Sequence, residues 1–210
     1  MPALTQFTYL SLMGSSQDQV KTVYVALLRG INVGNAKRVA MAELRALMEE
    51  LGYKKARTLL NSGNVVFSAP AVEPREAALR IEKALEAKLG VSARVTVICA
   101  DELAEVVSGN PLKKVAENPS RLLVGILRDP ADRQMLAEIA SKNWGKEKIA
   151  LGAARLGAKG TGGAIRAVYM WMPQGVIESK LNAAVSKALG EGITSRNWST
   201  MLKLNEMTEE

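Results

Sequence analysis

Residues 58–67, TLLNSGNVVF, contain the feature that most limits what this chain can fold into. Two short strand-forming runs, 58–60 and 65–67, flank Asn61-Ser62-Gly63-Asn64. Asn and Gly tolerate the positive φ values that a tight reversal demands, so the stretch reads as a β-hairpin. A lone hairpin is barely stable in water, so the elements on either side of it must supply the core.

Both flanks supply a helix and a strand. Upstream, residues 23–28, VYVALL, form a continuous apolar run consistent with a strand buried on both faces. Arg29-Gly30-Ile31-Asn32-Val33-Gly34-Asn35 breaks that run. Leu44, Leu47, Met48 and Leu51 then recur at the spacing of one helical stripe, with Gly52 as the stop. Downstream, Pro74 opens a helix over 74–89 whose Ala78, Ile81, Leu85 and Leu89 face inward, and Gly90 ends it. Residues 91–99 alternate in strand fashion. The resulting order, βαββαβ, is that of a ferredoxin-like unit, in which two helices cover one face of an antiparallel sheet.

The order then begins again. A short helix at 101–107 and the loop at Asn110-Pro111 form a connector, and residues 121–127 are a strand. Asp129-Pro130 caps a helix with Met135, Leu136 and Ile139 inside. Strands at 148–151 and 165–172 enclose the glycine-rich segment 156–163. Ser179 caps a helix with the stripe Leu181, Ala184, Val185, Ala188 and Leu189, followed by a short strand at 193–195 and a terminal helix at 199–207. The expected fold class is therefore α+β: two tandem ferredoxin-like βαββαβ subdomains with antiparallel sheets covered by helices. Their boundaries fall at 21–100 and 120–210, with a helical connector at 101–119 and a flexible N-terminal extension at 1–20. A helical cap over the first strand is the alternative for that extension.

Charge and missing residue types narrow the chemistry. Lys and Arg total 28 against 21 Asp and Glu, a formal charge of +7. Four of the acids (Asp18, Glu206, Glu209, Glu210) lie in terminal segments expected to be loosely held, which leaves the folded part more basic still. Such a surface favours an anionic small molecule or nucleic acid as partner. No His is present. This excludes a His general base, a His-based triad, a His-ligated zinc and a proximal-His haem. The single Cys99 closes no internal disulfide, reads as a small buried hydrophobe, and points to a reducing, cytoplasmic setting. No apolar run approaches the roughly 20 residues of a membrane-spanning helix, so no membrane partner is expected. Asp101-Glu102 and Asp129 with Asp132 sit at helix starts, where acids cap and answer the dipole, so neither a metal nor a cofactor is expected.

Topology suggests where a ligand could sit. In a βαββαβ unit the first two strands run parallel, which places the loop 29–37 and the hairpin tip 61–64 at one edge of the sheet. Arg29, Asn32, Lys37, Asn61, Ser62 and Asn64 would gather there, beside converging backbone N–H groups and a helix N-terminus, a setting that suits an anion. The plainer alternative is two well-made turns with Arg29 solvated or structurally paired. Neither the P-loop nor the dinucleotide spacing is present. In the second half the opposite edge collects Ser179, Lys180, Arg196, Asn197, Thr200 and Lys203 around Trp198, a place for a phosphate and a ring. Against that, Trp198 reads more readily as a plug that fixes the terminal helix to the core. Adjacent Ser179-Lys180 lacks the S-x-x-K spacing of Ser–Lys enzymes, and the few aromatics argue against sequence-specific RNA recognition on the strands.

ALLRGINVG followed by MAELRALMEELG, the hairpin SGNVVF, and later SKL and TSRNWSTMLKL resemble the bacterial family catalogued as domain of unknown function 1697, over about residues 22–205. The resemblance implies two ferredoxin-like subdomains and brings no established activity. Two departures from the family pattern are the glycine-rich 156–163 segment and Glu178 immediately before SKL, whose charge would weaken an anion site beside Lys180. Two functions follow as expectations: a binding protein for an anionic, phosphorylated ligand or nucleic acid, or an enzyme acting on a phosphorylated small molecule without His.

Overall fold

The computed structural model describes residues 21–33, 37–152 and 166–210. The expectations for residues 1–20, for Gly34 and for the glycine-rich segment lie outside those residues.

The first half contains β1 (Thr22–Leu28), α1 (Met41–Glu50), β2 (Lys54–Leu59), β3 (Asn64–Ala69), α2 (Pro74–Leu89) and β4 (Val95–Cys99). After α3 (Ala100–Ser108) the second half contains β5 (Leu122–Leu127), α4 (Arg133–Ser141), β6 (Lys148–Leu151), β7 (Ala167–Trp171), α5 (Lys180–Leu189) and β8 (Ile193–Asn197), and α6 (Trp198–Glu209) closes the chain. The sheets have the orders β2-β3-β1-β4 and β6-β7-β5-β8, with every pairing antiparallel. Each half is thus a ferredoxin-like βαββαβ unit, and the class is α+β.

Local chemistry sets the element ends. Pro74 occupies the first turn of α2, and Gly90 ends it in the left-handed conformation at φ 64°. Ser179 accepts the Asn182 N–H at the start of α5, and Asn197 accepts the Thr200 N–H at the start of α6. Asp129 accepts the Ala131 N–H, yet the first turn, Pro130–Asp132, is a 3-10 turn and α4 proper starts at Arg133. Leu136 and Ile139 then set the buried stripe, and Met135 is 50% exposed. The expectation that Met135 lies inside is therefore corrected, because residue 135 sits a full 100° around the helix from Leu136.

Three hydrophobic layers follow from the alternation of the strands. Tyr24, Ala26 and Leu28 of β1 face α1 and α2, where Leu44, Met48, Ile81 and Leu85 are buried. Val25 and Leu27 face the other way, into a central core shared with Leu103 and Val106 of α3, Met201 and Leu204 of α6, and Val124 and Tyr169 of the second sheet. Val168 and Met170 turn from that core toward α4 and α5. The helices α3 and α6 therefore serve both sheets, so neither sheet covers its inner face alone. Edge strands β4 and β8 come together where the Thr96 and Thr194 hydroxyls meet at 3.0 Å, fully buried. The C-terminus is held rather than loose: α6 runs to Glu209, and Arg57 of β2 pairs with the Glu210 carboxylate and donates to the Met207 carbonyl.

Two outcomes are expected of this packing. A Cβ on Gly125, in the middle of β5, would lie 2.4 Å from Ile193 Cδ1 and 2.9 Å from Val168 Cγ1. Gly125→Val should cost about 1–3 kcal/mol in urea unfolding, and an unchanged midpoint would contradict the packing of β5. Tyr169 donates to the Val106 carbonyl at 2.7 Å, and burial pushes its phenol up to about 12 from the ordinary 10. The neutral phenol is the form the fold favours, so its contribution is complete below pH 10 and is lost as pH rises from about 10 to about 12. Stability measured across that window should fall less steeply in Tyr169→Phe than in the parent. Equal slopes would contradict the burial of this hydroxyl.

Candidate functional site

The site begins at a glycine. Gly63 has φ +75°, and a Cβ there would lie 2.7 Å from Leu28 Cβ and 2.8 Å from Ile31 Cδ1, so only glycine lets the hairpin tip lie against the end of β1. Its carbonyl accepts the Leu28 N–H at 2.8 Å. Asn32, itself at φ 55°, staples the loop to the tip: Nδ2 donates to the Asn61 carbonyl at 2.7 Å and the Val39 carbonyl at 2.9 Å, and Oδ1 accepts the Val39 N–H at 2.9 Å. Asn64 is fully buried and donates to the Leu59 carbonyl at 2.8 Å and the Ser62 hydroxyl at 3.0 Å. The described part of the loop and the hairpin tip are therefore joined by hydrogen bonds into one edge.

Arg196 of β8 enters this edge from the other half. Its Nε donates to Asn64 Oδ1 at 2.5 Å, and Nη2 donates to the carbonyls of Leu28 at 2.6 Å, Ser62 at 3.0 Å and Gly63 at 3.3 Å. Nη1 donates to the Ser195 carbonyl at 2.9 Å. Arg29 reaches back across the same junction, Nη1 to the Ile193 carbonyl at 2.6 Å. From the sequence, Arg29 and Arg196 belong to separate edges. In the structure they meet, because the shared core sets β8 beside β4 and thereby brings Arg196 to the end of β1.

The charge at this junction is unbalanced. Every hydrogen-bond partner of Arg196 just named is a neutral oxygen. Burial pushes its pKa down to about 10, and the positive charge of Arg29 acts in the same direction. It remains a cation at neutral pH. Both arginines line a cleft of about 430 Å³ together with Asn182, Ser186 and Ser195, and among the described residues no Asp or Glu is in the lining. The nearby Glu191 is engaged elsewhere: Arg94 pairs with it at 2.7 Å and holds its carboxyl below the usual carboxylate value, with smaller help from Lys37 and Arg29. The lining also lacks Lys, Cys and Tyr, so it holds no group that exchanges a proton near neutrality.

A second cleft of about 390 Å³ at the same junction has the opposite character. Arg128 pairs with Glu82 at 2.5 Å, Arg94 lies 3.5 Å from the same carboxylate, and Arg166 grips Glu102 with Nε and Nη2 at 3.1 and 3.0 Å. These cations are answered by carboxylates within the chain.

The remaining candidates are placed as follows. Ser179 and Asn197 spend their side-chain oxygens capping α5 and α6, and Thr200 donates its hydroxyl to Asn197 at 2.7 Å. Trp198 is half-buried against the central core. Lys37, Asn61, Ser62, Lys180 and Lys203 are exposed, and none of these five lines either cleft. Asn182 and Ser186 were not singled out from the sequence, although their i, i+4 spacing on the flank of the α5 stripe is a readable sign. Among the described residues, no group of three or more His, Cys, Asp or Glu could hold a metal ion, and no helix is long and apolar enough to cross a membrane.

Removing the guanidinium should be costly. Arg196→Met keeps the stem but takes this donor away from the Leu28 carbonyl and from the buried Asn64 Oδ1, and should lose about 3 kcal/mol or more in chemical denaturation. Arg196→Lys should recover only part of the loss, since an ammonium cannot fork. A change below about 0.5 kcal/mol in Arg196→Met would show that the junction does not depend on it.

The family model described as "Protein of unknown function (DUF1697)" matches residues 21–156, a span that includes RGINVG and SGNVVF and ends before Arg196. A solved structure, that of the conserved bacterial protein SP0830 from Streptococcus pneumoniae, is similar with a TM-score of 0.70 and 21% identity, covering 90% of this chain and 99% of that one. At that identity the likeness speaks to fold. No curated protein matches the chain.

Proposed function

Because the chain belongs to the DUF1697 family of proteins of unknown function, we propose from its own geometry that it is a cytoplasmic binding protein for a small anionic ligand, held in the cleft that Arg29 and Arg196 share. One observation carries the reading: two neighbouring guanidiniums, one of them largely buried, line a cleft with no carboxylate among the described residues. A buried charge costs much less once a counter-charge with hydrogen-bond capacity is present. A carboxylate or phosphate entering the cleft would supply it, and Asn182, Ser186 and Ser195 offer further polar contacts. Retention without turnover is favoured over catalysis because the lining has no base to activate a hydroxyl. A small anion is favoured over nucleic acid because the cleft has no aromatic platform for a base.

The test is thermal unfolding at low ionic strength with inorganic phosphate and small carboxylates. At about a hundred times its dissociation constant, a bound anion should stabilise the protein by about 2.7 kcal/mol, a rise of roughly 5–10 °C. The rise should shrink with added salt and vanish in Arg29→Met. No change across the panel would overturn the reading.

A further inference from the structure

The geometry points to an anionic amphiphile, a carboxylate or phosphate monoester with an aliphatic chain, as the occupant of the cleft at Arg29 and Arg196. This inference rests on the anion-binding reading and adds the chemistry of the rest of the ligand. Apart from its polar groups, the cleft is walled by Leu123, Val176, Val185 and Ile193. All four are aliphatic, and among the described residues no Phe, Tyr or Trp joins them. A nucleobase or sugar ring is usually held by aromatic faces or by several directed hydrogen bonds, whereas a wall of branched aliphatic side chains fits methylenes. The volume of about 430 Å³ falls within the range of small-molecule sites.

The loop that continues from the wall residue Val176 has the same character. Val176 is 37% exposed, and its neighbour Ile177, in the loop between β7 and α5, is 97% exposed. An isoleucine almost wholly in water gains nothing in the free protein. One residue beyond a wall of a cleft that also holds two cations, it can close over an apolar tail that extends past the walls. Asn182 and Ser186, i and i+4 on α5, share one flank of the helix beside Val185, so this wall has a polar edge next to an apolar one. The head of the ligand thus belongs near Arg29 and Arg196, and its tail runs toward Val176 and Ile177.

The full chain is titrated calorimetrically with inorganic phosphate, with butyl, hexyl and octyl phosphate, with the matching carboxylates, and with adenosine monophosphate. Affinity should rise about fourfold per added methylene until the walls are filled, and adenosine monophosphate should bind no tighter than inorganic phosphate. In the double variant Val176→Ser, Ile177→Ser, whose changes lie in an exposed loop, the chain-length dependence should flatten while phosphate still binds. Phosphate binding with no chain-length dependence, or adenosine monophosphate tighter than octyl phosphate, would overturn the amphiphile and leave the anion reading standing. No binding by any probe would overturn both. Vesicles of anionic phospholipid form the last arm: binding to them without binding to free octyl phosphate or octanoate would overturn the inference.

Discussion

The guanidinium of Arg196 joins the two sheets of this protein, and it does so through four neutral oxygens of the first half rather than through a carboxylate. A planar fork of donors can bind several carbonyls at once, and the end of β1 together with the hairpin tip presents them at the right places. That presentation depends in turn on Gly63, which alone allows the tip to approach Leu28, and on Asn64, whose side chain both closes the hairpin and accepts from Arg196. The hydrophobic core between the sheets brings β8 into position, and the guanidinium fixes what the core leaves loosely specified, since apolar contact is not directional.

The two clefts at the junction differ in how their charge is answered. In one, Arg94, Arg128 and Arg166 have Glu82, Glu191 and Glu102 within ion-pair distance. Several of these groups are exposed, and exposed pairs contribute little to stability, so this network sets registry more than it adds energy. In the other, Arg29 and Arg196 repel each other and no carboxylate lines the space. A fold that pairs three arginines with carboxylates and sets two adjacent ones in a cleft with no acid among its described lining residues concentrates a demand for negative charge at one place. The proposed function follows from this contrast.

Much of the fold was legible because its signals are local. The Asn-Ser-Gly-Asn reversal, the first-turn proline of α2, the glycine after it and the Ser179 cap each report on a few neighbouring residues. The continuous run of β1 also announced burial on both faces. What it could not announce was the partner for the second face, which is a sheet and two helices more than 70 residues away in the chain. Met135 was misplaced because it lies 100° around α4 from Leu136, and the C-terminal acids were misjudged because the apolar residues of α6 lie in the shared core. The candidate site was half legible. Its residues could be gathered by topology within each half, but Arg196 has the same appearance in a sequence whether it waves in water or grips a neighbouring carbonyl. Meeting across the junction is a property of packing between halves, which spacing does not encode. Ser179 and Asn197 show the converse: a residue type suited to a ligand site is equally suited to a helix cap, and here capping claims it.

Arginine side-chain N–H resonances of the isotopically labelled protein test the central claim most directly. The Nε–H of Arg196 should exchange slowly with water, as a donor buried against Asn64 must, and addition of phosphate should shift the Arg196 and Arg29 signals together. A rapidly exchanging Arg196 signal, or signals from both residues that do not move when anion is added, would contradict it.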